Sequence, residues 1–477
     1  MEYGLLSLLP PVLAIVLAIA TRNVVMSLFI GIFAGQFITH DYSFISAFIA
    51  VFDGIVALFS EGWITKTLIF ALLVGSILRL VVSSGGVDGF VQFLTEKEKG
   101  IKSKRGALLL AYIIGIIIFI ESSITSLVAG AAARPLTDRF GVSREKLAYV
   151  CDSTSAPVCS LIPLNAWGAL LIALITEQVS SGVITGNPTS LLLQSIPFNF
   201  YSILTLVFVL YIIFTGNDFG PMKQAELAAK PIDSQFSDAK GNMWYMLLPL
   251  LVLILMMPIG LFFTGDGLNV LSNNPNIPLS DAFFQIMKNG SGSTSVFYAV
   301  IVSLFFSFFY YLISRVMSVN TWFDNFYKGA ADMLPIVMIL VLAFAIGSVT
   351  KSLDTGNYLA SITGNSLSPA VVPMVIFILS SIIAFSTGTS WGTFSIMMPI
   401  AIAFSVAAGA NNLPLVIAAV ISGGIFGDHC SPISDTTIIS AMASKCDHIS
   451  HVNTQLPYAL LMGVVSAVFF LIAGMLI

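Results

Sequence analysis

The sequence predicts an all-α polytopic membrane protein built from two inverted-topology repeats. Composition, a set of paired segments and the placement of basic residues carry that reading. Of 477 residues, 57% are apolar and only 9% charged, and the mean hydropathy is +0.96. Soluble domains average about 25% charged residues, so an aqueous fold is excluded. Apolar stretches of about 17–20 residues recur along the chain, each long enough to cross a hydrocarbon core of ~30 Å as a helix. The N-terminal stretch "MEYGLLSLLPPVLAIVLAIATRN" lacks the basic start of a cleaved signal and reads as a retained first span. The net charge of −4 is small and says nothing about nucleic acid, and no basic tail or aromatic–basic stretch points to it, so no nucleic-acid partner is expected. Four cysteines (Cys151, Cys159, Cys430, Cys446) make no disulfide framework in a chain this long and read as soft packing.

The repeat shows as similar segments in one order at offsets of about 264–276 residues. "FDGIVALFSEG" from Phe52 pairs with "FDNFYKGAADM" from Phe323, and "VGSILRLVVSSGG" from Val74 with "IGSVTKSLDTG" from Ile346. Pro135 pairs with Pro399, and Asp152–Pro157 with Asp428–Pro432. Apolar stretches 23–39 and 294–314 correspond, as do 197–214 and 457–476. The halves are therefore 1–214 and 243–477, joined by a charged, proline-containing cytoplasmic linker at 215–242 that needs no role beyond connection.

Charge gives the topology. Lys97, Lys99, Lys102, Lys104 and Arg105 form one basic loop, and Arg134, Arg139, Arg144 and Lys146 another. Both belong in the cytoplasm by the positive-inside rule. The ~28 apolar residues between them must then enter and return as a re-entrant hairpin, with its tip at Glu121–Ser123. Spans follow at 5–20, 23–39, 64–82, about 147–179 and 197–214. Segments 43–59 and 315–331 read as helices lying at the interface, because the second is too polar to cross. Five crossings are odd, so the second repeat is inverted and the N-terminus is extracytoplasmic. Only Lys66, Lys288 and Lys351 remain outside.

Inverted repeats with interrupted helices are the architecture of secondary transporters, whose sites lie near the bilayer midplane. Four interruptions occur here: hairpin tips "ESSITS" (121–126) and "STGTSWGT" (386–393), and breaks "CDSTSAPVCS" (151–160) and "GDHCSPISDTT" (427–437). Unwound backbone survives in a membrane only when it is buried in protein or lines a wet cavity. Pro157 and Pro432 act as helix breakers, each freeing an upstream carbonyl. Free carbonyls, hydroxyls and a carboxylate form an all-oxygen site suited to Na⁺, while half-helix N-termini attract anions.

Intramembrane acids are expensive, about 2.5–3.5 kcal/mol each, and mark a pathway. Glu121, Asp152, Asp428 and Asp435 are the candidates, the last doubling as a natural helix cap. His429 is a candidate proton relay or structural hydrogen-bonder. Candidate oxygens come from Ser122, Ser123, Ser153, Thr154, Ser155, Ser386, Thr387, Thr389, Ser390, Ser434 and Thr436, with Asn165 as an extra ligand. A Na⁺ site is expected around Asp152, Thr154, Asp428 and Ser434. Trp167 and Trp391 either wall the cavity or pack the bundle, and Arg79 and Lys351 either snorkel to the interface or, in a carrier of a large organic anion, supply a counter-ion.

The run "GDHCSPISDTTIISAMAS" resembles the most recognisable motif of the NhaC family of sodium/proton antiporters. The resemblance implies a bacterial inner-membrane carrier, often dimeric, working by an elevator-type cycle. Residues 105–179 and 369–445 would form the moving transport domain and the other spans the scaffold. It implies no cofactor, with Na⁺ as coupling ion and H⁺ or a small organic solute as the counter-substrate. Na⁺/H⁺ antiport is the leading function. The alternative is a Na⁺-coupled carrier of an amino acid or small organic acid, and an intramembrane enzyme is a remote third. No nucleotide-binding motif supports a pump, and matched broken spans suit alternating access better than a fixed pore.

Overall fold

At the acid-bearing breaks, Ser143 and Asn165 cap the starts of the helices flanking the first, and Asn412 and Ser434 those flanking the second. The computed structural model describes residues 3–21, 23–96, 101, 103–119, 121–231, 241–273, 282, 285–286, 289–355, 358, 368–410 and 412–476. Lys97, Lys99, Lys102 and Lys288 of the expected loops lie outside the described residues.

The first half comprises α1 (Leu9–Thr21), α2 (Val24–Thr39), α3 (Phe44–Leu58), α4 (Gly62–Ser83) and α5 (Gly86–Glu96). It continues through α6 (Lys104–Ile117), α7 (Ser122–Arg139), α8 (Arg144–Ser153), α9 (Ala156–Leu161) and α10 (Ala166–Ser180). Then come α11 (Pro188–Ser195), α12 (Phe200–Thr215) and, in the linker, α13 (Gly220–Ala228). The second half holds α14 (Trp244–Thr264), α15 (Gly267–Asn273), α16 (Gly292–Ile313), α17 (Val319–Asp332) and α18 (Leu334–Ser352). It ends with α19 (Val372–Thr387), α20 (Ser390–Ala407), α21 (Leu413–Cys430), α22 (Asp435–Ser444) and α23 (His448–Leu476).

Among the described residues nine helices are long and apolar enough to cross a membrane, ten if the bent pair 144–161 and 166–180 counts as one span. The helices at the expected spans 5–20 and 23–39 fall short of that length, and both arms of the second hairpin reach it.

Helix starts are set by side chains. Asn23, Ser43, Ser103, Glu121, Ser143, Asn165, Asn187, Ser291, Ser318, Thr389, Asn412 and Ser434 each accept a first-turn N–H. These groups would otherwise be unpaired donors in an apolar surrounding. The first break is double: Thr154–Ser155 separates α8 from α9, and 162–165 separates α9 from α10 with a 45° bend. Pro157 therefore opens the short α9, where its missing N–H costs nothing. Pro432 sits in the non-helical turn between α21 and α22.

Small residues let the helices close on one another, as membrane packing favours. A Cβ on Gly115 of α6 would strike Thr154 at the first break, and one on Gly427 of α21 would strike the Ser381 carbonyl of α19. Each hairpin is thus seated on the break in its own half. Gly130 of α7 abuts Ala443 of α22, bringing the first hairpin onto the second break's exit helix. α4 and α17 meet at Gly75 and Gly329, backbone to backbone, with the Ser76 hydroxyl donating to the Phe326 carbonyl at 2.8 Å.

Candidate functional site

At the first hairpin tip, α6 ends at Ile117 and Glu121 caps α7. Its Oε2 accepts the Ile124 N–H at 2.9 Å and its Oε1 the Ser122 hydroxyl at 3.3 Å. The Thr125 hydroxyl donates to the Ile118 carbonyl, closing the tip. At the second tip Gly388 takes a left-handed conformation (φ +66°) against the Ile433 backbone, a place with no room for a side chain. Thr389 then caps α20, and the Ser390 hydroxyl donates to Asp428 Oδ2 at 2.5 Å. The second break is held by the Ser431 hydroxyl on the Phe385 carbonyl (2.8 Å) and by His448 Nε2 against the Pro432 carbonyl (2.6 Å). Ser434 caps α22, while Asp435 accepts the N–H of Thr436 at 2.9 Å.

These pieces enclose a cavity of about 210 Å³. Of the sequence candidates, Glu121, Ser122, Ser123, Thr389, Ser390, Asp428, Asp435 and Thr436 line it, and Trp167 and Trp391 form part of its wall. Asp332, from the end of α17, adds a fourth carboxylate that the sequence reading missed. No Lys or Arg lines the cavity among the described residues. Arg79 approaches only from outside, 3.8 Å from Asp332. Asp428 is 2% exposed, and its Oδ1 has no hydrogen-bond partner among the described residues. A buried carboxylate oxygen left in that state is costly, and a cation in the adjoining space offsets the cost.

The remaining candidates lie elsewhere. Asp152, 1% exposed, belongs to a second, enclosed cluster. Its Oδ2 accepts from Gln455 Nε2 (2.7 Å) and the Thr437 hydroxyl (3.2 Å), and faces His451 Nε2 at 3.5 Å and His429 Nε2 at 3.7 Å. His429 is fixed by the Tyr201 hydroxyl at Nδ1 (2.7 Å) and Ser153 at Nε2 (3.2 Å). Gln455 also donates to the His429 carbonyl at 2.6 Å. His451, Gln455 and Tyr201 were not among the sequence candidates. His451 and Gln455 stand four residues apart on α23, ahead of its apolar run, and that spacing is the signal that could have marked them.

The Na⁺ site expected around Asp152, Thr154, Asp428 and Ser434 is divided by the structure. Only Asp428 of the four lines the cavity. The Thr154 hydroxyl is spent on the Val150 carbonyl, and Ser155 on that of Asp152, each at 2.8 Å. Ser434 pairs with Thr436 at 3.0 Å. Asn165 caps α10 and ties the Phe119 carbonyl of the first tip to that of Cys159 in the break, at 2.7 and 2.8 Å. Ser386 and Thr387 bond back to their own helix.

The model of the Na⁺/H⁺ antiporter family matches residues 158–475. This chain belongs to that family. A Haemophilus influenzae protein of unassigned function is 35% identical across 98% of this chain and 90% of its own length. The malate-2H⁺/Na⁺-lactate antiporter of Bacillus subtilis is 32% identical over 149 residues, 31% of each chain. In fold, the chain is similar to the YdaH transporter of Alcanivorax borkumensis, with a TM-score of 0.59 at 16% identity over 89% of this chain and 87% of that one. Membership of that family identifies a secondary transporter of the membrane.

Proposed function

We propose that this family member exchanges Na⁺ for H⁺ by alternating access, with the cation bound in the acid-lined cavity. The Oδ1 of buried Asp428, unpartnered among the described residues and set in a cavity of four carboxylates that no described Lys or Arg lines, is the observation that carries the reading. Asp428 is the primary Na⁺ ligand, Ser390 and Thr389 supply hydroxyls, and Glu121, Asp435 and Asp332 set the negative field that draws cations in. Na⁺ and H⁺ compete for this carboxylate, which couples their fluxes.

The paired hairpins and breaks support two inverted repeats, 1–214 and 243–477, about the linker 215–242. Residues 105–179 and 369–445 form the moving body against a scaffold of the other spans, in an elevator-type cycle and as a homodimer. The setting is a bacterial inner membrane with the N-terminus outside.

In proteoliposomes, an imposed Na⁺ gradient is expected to move protons without any organic solute. Flux that requires an amino acid or dicarboxylate overturns the antiport reading in favour of a second one, Na⁺-coupled carriage of a small organic solute. Cavity size supports that alternative, since about 210 Å³ far exceeds the ~30 Å³ share of one water. The Trp167 and Trp391 walls are also suited to an organic body.

A further inference from the structure

The linker between the halves is more than a tether. α12 ends at Gly216 in a left-handed turn, and the chain then doubles back under α8 and α23. The Asp218 side chain is buried there. Its Oδ2 receives Lys146 Nζ of α8 at 2.6 Å, its Oδ1 the Tyr458 hydroxyl of α23 at 2.9 Å, and the two ion-pair side chains are only 5% and 4% exposed. The Phe219 N–H donates to the Tyr458 oxygen at 3.3 Å, and the two rings lie 4.5 Å apart. Farther along, Met222 is fully buried. Glu226 accepts the Ser143 N–H at 2.9 Å and pairs with Lys104 at 3.2 Å, and Lys104 in turn bonds the Gly141 carbonyl at 2.6 Å. The segment therefore grips the start of α6, the α7–α8 turn and α23 together.

Its position relative to the enclosed cluster gives this grip a meaning. Lys146, Tyr149 and Ser153 follow one face of α8, so the ion pair lies about 10 Å along the helix from Ser153. Tyr149 bridges the interval, its ring 5.0 Å from Tyr458 and stacked 6.3 Å from His429. The linker end of the cluster is thus stoppered by Asp218, Phe219 and Tyr458.

We propose that residues 216–231 form a strap that closes this face of the protein, and that each transport cycle requires its release. The proposal rests on the alternating-access reading, since it places the strap across the boundary between the moving body and the scaffold. A nine-residue helix is too short to persist by itself, so α13 is ordered by its docking. A buried ion pair is no better than an apolar pair at adding stability, but it punishes partial separation, because each charge left behind is unpaired. The strap is accordingly docked or free, with little between.

Two measurements test it. Ser143→Cys and Glu226→Cys, introduced into a Cys446→Ser background, are joined with a short reducible thiol cross-linker. Joining is expected to cut Na⁺-driven proton flux in proteoliposomes by about tenfold or more, with recovery on reduction. Equal flux from the joined and reduced forms overturns the strap. Hydrogen exchange needs no substrate: Asp218→Asn is expected to speed exchange of amides 219–228 and 143–147 together by about tenfold, leaving 459–470 unchanged. The swap Lys146→Asp with Asp218→Lys is expected to restore most of that protection. Protection indifferent to Asp218→Asn overturns the strap even if the swap fails to fold. A reduced protein that passes no Na⁺-driven protons defeats the antiport reading instead, and exchange then decides the strap by itself.

Discussion

Asp428 and Asp152 stand in two motifs that the sequence reading pairs, "GDHCSP" and "CDSTSAP", yet the fold gives them different surroundings. Asp152 is enclosed by donors from α21, α22 and α23, with two imidazoles facing one carboxylate oxygen. Both aspartates leave Oδ1 without a hydrogen-bond partner among the described residues, but only Asp428, held by the Ser390 hydroxyl, lies beside the acid-lined cavity. The lesson is that matched sequence does not mean matched chemistry. A carboxylate gathered in by donors from several helices holds those helices together, whereas one that opens on a cavity can offer its free oxygen to a ligand.

The comparison can be broken most sharply at Asp428. Asp428→Asn is expected to lower apparent Na⁺ affinity by about a hundredfold or more while the protein still elutes as a folded particle. Unchanged Na⁺ activation of transport removes Asp428 from the site. Asp152→Asn is expected to do the reverse, costing about 2–4 kcal/mol of stability by unbalancing the buried cluster. Na⁺ affinity should stay within about threefold of wild type, so thermal unfolding in detergent paired with a Na⁺ titration separates the two aspartates. If Asp152→Asn weakens Na⁺ binding as strongly as Asp428→Asn, the two regions are one site. Asp332→Asn, exposed at the rim, is expected to reduce apparent Na⁺ affinity only about two- to threefold, an effect that fades as an inert salt screens the field. A loss that persists in high salt makes Asp332 a direct ligand.

Much of this was legible in sequence because membranes make polar residues conspicuous. Four mid-span acids, two prolines and serine-rich tips stand out against apolar runs, and eight of the seventeen ligand candidates do line one cavity. What stayed hidden depends on contacts between distant segments. Gln455 meets Asp152 across 303 residues. Asp332 looks like an interfacial charge until α17 folds against α4. Asn165, six residues past Cys159, reads as a ligand in sequence, but its amide is fully used in joining a tip to a break. Basic residues read only as topology markers also proved specific: Arg144 holds Asp138 in a two-point grip at 3.1 and 3.2 Å, and Arg134 donates to the Ala443 carbonyl at 2.9 Å.

The glycine contact between α4 and α17 bears on how the protein is made. Ser76 and Phe326, bonded beside that contact, are separated by 250 residues. At about 5–20 residues per second, roughly 10–50 s of synthesis passes before α4 meets its partner. During that interval its glycine face rests against lipid, which offers neither a hydrogen-bond acceptor for the Ser76 hydroxyl nor a backbone to fit the notch. The newly inserted first half therefore waits, incomplete, for the second to arrive. Cutting the gene at the linker would still yield a working pair if both pieces share a membrane, whereas the first piece alone would be cleared as unassembled.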